Sequence, residues 1–456
     1  MFEHLDDPAP PQPTAAALSS VLARSAALRR RRVTSALGVV ALGALAVGVV
    51  IGVVAAAPGR APVYAAFDSE TGLLPRGTAV PPSDLDAVVF IGATRGFGLA
   101  VHDGRCVLVS STDGGSSWAV VDPSLPVAFP AQFEFADALH GYLWGAASAA
   151  SGTVPLWVTS DGGRSWKQAA IGPVVSDVSA IGSDVWAVVG ACPVSAAAAG
   201  SCPVVVEVSQ DAGSSWSPTG TAPPLSESPQ VSVDDERIEL ARITHARAYV
   251  LSFSAGAAGS GAAGRGAAPA ASGVVGLLAY TADGGRTWSA RPDPCPRFFD
   301  IGEQMAASGT DDLWMICGSQ ASGGIQAKAL YRSADGGLHW VLTAAANAPV
   351  LAGGTTLPAP GALPVDGYVA PYSLGHENLA VLTPVSAWLF PDRGGVVETR
   401  DGGRTWHAVP GLATAGFVGQ GSGNVVFADA AHGWVCDAGT GLWRTTDGTT
   451  WSRLGP

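Results

Sequence analysis

Hydrophobic and polar positions divide the chain into two unlike parts. Val33 to Ala57 reads VTSALGVVALGALAVGVVIGVVAAA, with no charged residue in the run. A helix rises about 1.5 Å per residue, so about 20 apolar residues cross a bilayer core. The run therefore predicts a transmembrane helix over 33–57. After it, apolar residues come in short β-branched stretches such as Ala87-Val88-Val89-Phe90 and Val204 to Val208. Gly, Asp and Ser punctuate them, which reads as short strands between tight turns.

The turns repeat. STDGGSSW ends at Trp118, TSDGGRSW at Trp166, SQDAGSSW at Trp216, TADGGRTW at Trp288, SADGGLHW at Trp340 and TRDGGRTW at Trp406. A copy one residue shorter, TTDGTTW, ends at Trp451. The aspartates are Asp113, Asp161, Asp211, Asp283, Asp335, Asp401 and Asp447, at intervals of 48, 50, 72, 52, 66 and 46 residues. A period near 50 suits a four-stranded propeller blade. The two longest intervals hold low-complexity stretches rich in Ala and Gly, at 254–273 and 344–367. Both are expected to be surface loops.

A weaker phrase precedes each copy. FADALHGY ends at Tyr142 and FADAAHGW at Trp434, and Phe97, Trp186, Tyr249, Trp314 and Trp388 hold the same slot. Each unit thus reads strand, turn, aromatic-led strand, loop, third strand, Asp phrase, fourth strand. The expected fold is all-β, a seven-bladed propeller over 85–456. A tail at 1–32, the helix at 33–57 and a linker at 58–84 precede it.

The Asp phrase has a physical reading as a hairpin staple. Its glycines tolerate positive φ in the turn. Its carboxylate can accept backbone N–H groups of the same turn, as in Asx-turns. Its Trp, five residues on, is expected to bury a large indole between neighbouring sheets. The shortened seventh copy should turn differently.

The phrase resembles the Asp-box, or BNR, repeat, Ser/Thr-x-Asp-x-Gly-x-Ser/Thr-Trp. Six copies keep its length, and among these His339 is the residue that departs from the pattern. Families carrying the repeat include sialidases, sortilin-type receptors and photosystem II assembly and stability factors. The longer unit, Phe-x-Asp-x-x-His-Gly-Trp and then Thr-x-Asp-Gly-Gly-x-Thr-Trp, looks most like the last group. The resemblance implies a seven-bladed propeller with its Asp boxes between third and fourth strands, away from the ligand channel. Closure of the ring then needs packing of blade 1 on blade 7, or a strand from 62–68.

Charge sets the orientation. Arg29 to Arg32 abut the apolar run, and cations flanking a first span stay cytoplasmic. A cleaved signal peptide would also export the remainder, but its apolar region is shorter than this one. The whole chain carries a formal charge of −12, which argues against a nucleic-acid partner. All six cysteines follow the span, where disulfides form. Cys192 with Cys202 brackets one short loop, and Cys295 with Cys317 is the next pair. Cys106 and Cys436 would then join first and last blades. Six reduced, buried thiols fit the same sequence, so connectivity stays open.

Signatures of chemistry are sparse. There is no Gly-x-Ser-x-Gly elbow and no Gly-x-x-x-x-Gly-Lys loop. Sialidases share the Asp boxes, but their Arg-Ile-Pro signature is missing here. Glu239, Glu303 and Glu377 are candidate glycosidase carboxylates that nothing in the sequence brings together. His140 and His432 share one slot before a Gly and are read as turn residues rather than metal ligands. The Asp phrases lack the further oxygens of a calcium loop. No cofactor is expected. The reading is a membrane-anchored, extracytoplasmic propeller that docks a protein or a cell-envelope glycan without catalysis. An envelope glycoside hydrolase of sialidase type is the alternative.

Overall fold

A computed structural model of the chain describes residues 73–455, apart from 103, 129–130, 146–151, 192–202, 226–235, 255–276, 296–301, 320–325, 348–360, 366–377, 392–394, 413–422 and 438–440. The tail at 1–32, the apolar run at 33–57, residues 58–72 of the linker, and Cys192 and Cys202 lie outside the described residues. Among the described residues, no helix is long and apolar enough to cross a membrane.

Seven sheets follow one another along these residues. Each is a meander of four antiparallel strands, and two carry a fifth strand at the edge. The inner strands are Leu85–Phe90, Ala131–Phe135, Val174–Ile181, Glu236–Arg242, Gly302–Ala307, Leu379–Thr383 and Gly423–Phe427. All seven contribute to the wall of one central channel, so the sheets are the blades of a propeller. Second strands are buried on both faces. Leu313–Gly318 is buried at every position and Asp184–Gly190 at all but its first. A strand sandwiched between two sheets has no solvent face, hence its continuous apolar run.

The repeated aromatics explain how blades interlock. The second-strand residues Phe97, Tyr142, Trp186, Tyr249, Trp314, Trp388 and Trp434 are all at most 2% exposed. At three junctions, a Phe ending one inner strand lies on the previous blade's aromatic. Phe90 stacks on Trp434 at 3.5 Å, Phe135 on Phe97 at 3.6 Å, and Phe427 lies tilted on Trp388 at 4.4 Å. The tryptophan of the Asp phrase then meets that Phe edge-on: Trp118 on Phe90, Trp166 on Phe135 and Trp451 on Phe427. These are the stacked and T-shaped arrangements that aromatic quadrupoles favour. Only Trp118, Trp406 and Trp451 of the Asp-phrase set are buried; Trp166, Trp216, Trp288 and Trp340 are half-buried. The deeper wedge between blades is therefore the second-strand aromatic, and the expectation for the Asp-phrase indole is corrected to that of a buttress. The repeated spacing Phe-x-Asp-x-x-His-Gly has a steric cause: a Cβ on Gly141 would stand 2.5 Å from the Phe135 ring.

The Asp turns join third and fourth strands. Ser111 Oγ donates to Asp113 Oδ1 (2.8 Å) and accepts from Gly115 N (2.8 Å). Asp113 accepts Ser117 N at Oδ1 (2.9 Å) and Ser117 Oγ at Oδ2 (2.6 Å). Asp161, Asp211, Asp283 and Asp401 repeat this set. At Asp335, His339 Nδ1 sits 2.6 Å from Oδ2, in the place the hydroxyl takes elsewhere. In the shortened turn, Asp447 Oδ1 takes Thr449 N and Thr450 N instead, with one positive-φ glycine, Gly448.

Three boundaries move. Ala79–Val80 pairs with Trp118–Asp122, so the first blade reaches back into the expected linker. Ala344–Ala346 completes the strand Val341–Ala346, and Gly361–Ala362 adds to it in parallel, so two parts of the 344–367 stretch are sheet. Ser254 ends the strand Ala248–Ser254, and 255–273 lies outside the described residues.

Blade 7 is built wholly from 423–454, and blade 1 takes no strand from it. Their junction closes by side chains: the Phe90–Trp434 stack, Trp434 Nε1 to Gly114 O (2.9 Å), and Arg444 Nη1 to Asp113 O (3.1 Å). Cys106 and Cys436 do not cross-link this junction; both are buried thiols. Cys106 packs with Phe97, Leu99 and Phe135 between blades 1 and 2. Cys436 packs with Leu85, Phe90 and Trp118 between blades 7 and 1. The sheet of blade 1 stands between them. Cys295, beyond the outer strand of blade 4, is bonded to Cys317 in blade 5 with Cα atoms 5.6 Å apart.

Candidate functional site

An inner strand is the free edge of its sheet, with N–H and C=O groups that the sheet leaves unpaired. Here side chains of the preceding blade satisfy several of them. Ala180 N donates to Glu134 Oε1 (3.0 Å), Leu240 N to Asp177 Oδ2 (2.7 Å) and Met305 N to Glu239 Oε2 (3.3 Å). Asn378 N donates to Gln304 Oε1 (3.2 Å). Asn424 closes the ring, donating to Val88 O (2.7 Å) and accepting Val88 N (3.3 Å). A polar belt thus ties five of the seven blade junctions around a channel of about 480 Å³.

The belt is electrostatically lopsided. Its acids, Glu134, Asp177 and Glu239, come from blades 2, 3 and 4, while Gln304 and Asn424 on blades 5 and 7 are neutral amides. Arg242 is the one basic residue among the described lining residues. Its buried guanidinium pairs with Asp184 Oδ2 at 2.7 Å and donates to Ser179 O and Asp184 O. Burial lowers the Arg242 pKa, and Asp184 counters part of that. His245 Nδ1 meets the same Asp184 oxygen at 2.8 Å. The Glu134 carboxylate also favours the charged form of Arg242.

Phe133, Trp144 and Phe427 give the channel aromatic surface. Trp144 is 5% exposed, and among the described residues its indole N–H has no acceptor. A buried donor without a partner carries a desolvation cost of about 1–3 kcal/mol.

None of the Asp-turn aspartates or their tryptophans lines the channel. Their carboxylates are spent within the turns, and hydrogen bonds set their acidity. For Asp211, the Ser215 hydroxyl is the main cause of a pKa lowered to about 2, and Thr287 does the same for Asp283. His140 and His432 close turns: their Nδ1 atoms lie 2.8 Å from Asp137 Oδ2 and 2.9 Å from Asp429 Oδ2. Of the candidate glycosidase acids, Glu239 is in the channel, Glu303 is on the inner strand of blade 5, and Glu377 lies outside the described residues. Among the described residues, no three His, Cys, Asp or Glu gather as a metal ion requires. Glu134, Asp177, Gln304, Asn424 and Trp144 were not singled out from the sequence. Their signal is faint, a polar residue inside an otherwise apolar first strand, as in AQFEF, VVSDVSAI and GNVVF.

No protein-family model matches the chain, and no curated protein matches it. Solved structures do. YCF48 bound to D1 peptide is 16% identical, covering 82% of this chain and 97% of that one, with a TM-score of 0.46. YCF48 from Cyanidioschyzon merolae is 14% identical, covering 82% and 98%, with a TM-score of 0.44. A PL25 ulvan lyase bound to its saccharide is 11% identical, covering 84% and 95%, with a TM-score of 0.43. Likenesses this distant carry no residue role to this chain.

Proposed function

We propose that the protein is a non-catalytic binding module: a propeller held at the outer face of a membrane by the 33–57 segment, docking a protein or cell-envelope partner at its channel. The observation that carries the reading is the belt. Its polar groups accept backbone N–H groups across blade junctions, and the repeated aspartates are engaged inside their own turns. Groups so committed make a rigid, charged cup. The anchor and its orientation rest on the uncharged run and on Arg29 to Arg32 before it. Crosslinking in whole cells, followed by recovery of the full chain, tests the reading. An envelope protein or glycan that co-purifies supports it, and recovery of the bare chain alone overturns it.

Three carboxylates in one channel favour the glycoside hydrolase as the second reading. Turnover of sialosides or cell-wall glycans, abolished by Glu134→Gln, Asp177→Asn or Glu239→Gln alone, would establish it in place of the first.

A further inference from the structure

We propose that the central channel binds a neutral saccharide, whose hydroxyl groups meet the side-chain amides of Gln132 and Asn378 and the indole N–H of Trp144. The inference deepens the binding role above and rests on it. One polar register runs round the inner strands. It is the residue facing the position two beyond the second-strand aromatic: Gln132 faces Trp144, Asp177 Val188, Glu239 Leu251, Gln304 Ile316 and Asn424 Cys436. Asn378 stands there on blade 6, its C=O accepting Phe390 N, and Ala87 stands there on blade 1, facing Leu99. All seven line the channel. The side chains of Asp177, Glu239, Gln304 and Asn424 clasp the inner strand of the next blade. Those of Gln132 and Asn378 do not, and among the described residues no hydrogen bond engages either amide.

The unbonded groups select the ligand. Asn378 is 8% exposed, so water reaches its amide poorly, and an amide needs a partner that both donates and accepts. Trp144 stands opposite Gln132 on the same face of blade 2, with its buried N–H lacking an acceptor among the described residues. Sugar hydroxyls both donate and accept, and a vicinal pair of them matches the C=O and NH₂ of one amide. The half-buried Phe133 ring gives the wall apolar surface for the C–H face of a sugar. An extended peptide would instead pair with the inner-strand edges, and the belt already holds these at five junctions. A cavity of about 480 Å³ falls in the range of about 300–1,000 Å³ that encloses small ligands.

The test is calorimetric titration of the full-length chain in micelles of a detergent without a sugar headgroup. The probes are maltotriose, mannotriose, triacetylchitotriose, permethylated maltotriose and acetyl-trialanine amide. Binding of any of the three free saccharides, with none of the permethylated form, supports the proposal. Gln132→Met, Asn378→Leu and Trp144→Phe each remove one hydrogen-bonding side chain that the belt does not use. Each should keep the melting temperature and weaken that saccharide about fivefold, the worth of one neutral hydrogen bond. Should one variant not fold, the other two and the permethylated probe decide the matter. No binding of any free saccharide, equal binding of the permethylated form, or unchanged affinity in every folded variant overturns the proposal. Binding of the trialanine amide alone overturns it too, while leaving the docking role in place. Cleavage of a bound saccharide leaves the site standing and overturns the non-catalytic reading instead.

Discussion

Asn424→Ala is the sharpest probe of how this ring stays closed. Propellers often share a strand between first and last blades; among the described residues, blade 7 lends none. Asn424 is 7% exposed and Val88 1%, so both residues joined by this pair of hydrogen bonds are buried. The substitution leaves Val88 N–H and C=O without acceptor and donor. Each orphaned buried group costs about 1–3 kcal/mol, so a loss of about 3 kcal/mol is expected. Gln304→Ala at the junction of blades 5 and 6 orphans one N–H, that of Asn378, and should cost about 1 kcal/mol. Chemical denaturation of the full chain measures both. Hydrogen exchange adds a local readout: the Val88 amide should exchange faster in Asn424→Ala than in Gln304→Ala. A loss for Asn424→Ala below about 0.5 kcal/mol, or no difference in Val88 exchange, would refute the idea that these bonds fasten the ring.

Four further outcomes follow from single sites. Burial pushes Asp293 up to about 6 against the pull of its bond from Cys295 N. A carboxyl raised in the folded state costs stability as pH rises from about 4 to 6, so Asp293→Asn should flatten that slope in melting curves and stabilise at pH 7 by roughly 2 kcal/mol. Asp211, Asp283 and Asp401 run the other way, with pKa values lowered to about 2. Their stabilisation is complete above about pH 4 and is lost as pH falls towards 2, which acid titration of the far-UV signal should show. Gly141→Ala drives a methyl into the Phe135 ring and should lower stability by about 1–3 kcal/mol in denaturant. Ala212 holds φ at 56°, where other Asp turns carry Gly, so Ala212→Gly should gain up to about 1 kcal/mol.

Legibility followed repetition. The Asp turns and second-strand aromatics recur at fixed offsets, so blade number and strand order could be read from residues such as Asp113 and Trp434. The belt could not. Its members are Glu, Asp, Glu, Gln and Asn at shifting offsets, and their role exists only once neighbouring inner strands stand side by side. The pairing of Cys106 with Cys436 failed for a related reason. Proximity of first and last blades says nothing about which face of a blade a side chain occupies. Ala79–Val80 carries no periodic signal in two residues, so nothing in the sequence separates it from the linker.

The two kinds of repeat carry different loads, and this bears on where evolution can build a site. Each second-strand aromatic is sealed between sheets, so changing it reshapes a junction. Each Asp turn closes on itself, as His339 demonstrates by standing where a hydroxyl stands in the other full-length copies. The inner strands differ from both. Their outward groups need partners, but an amide serves as well as a carboxylate, as Gln304 and Asn424 show beside Glu134 and Glu239. Charge in the channel is therefore free to vary without loss of the ring. Three acids on adjacent blades are more than closure requires. The arc of Glu134, Asp177 and Glu239 is thus the part of the wheel whose charge can change while the blade junctions keep their hydrogen bonds.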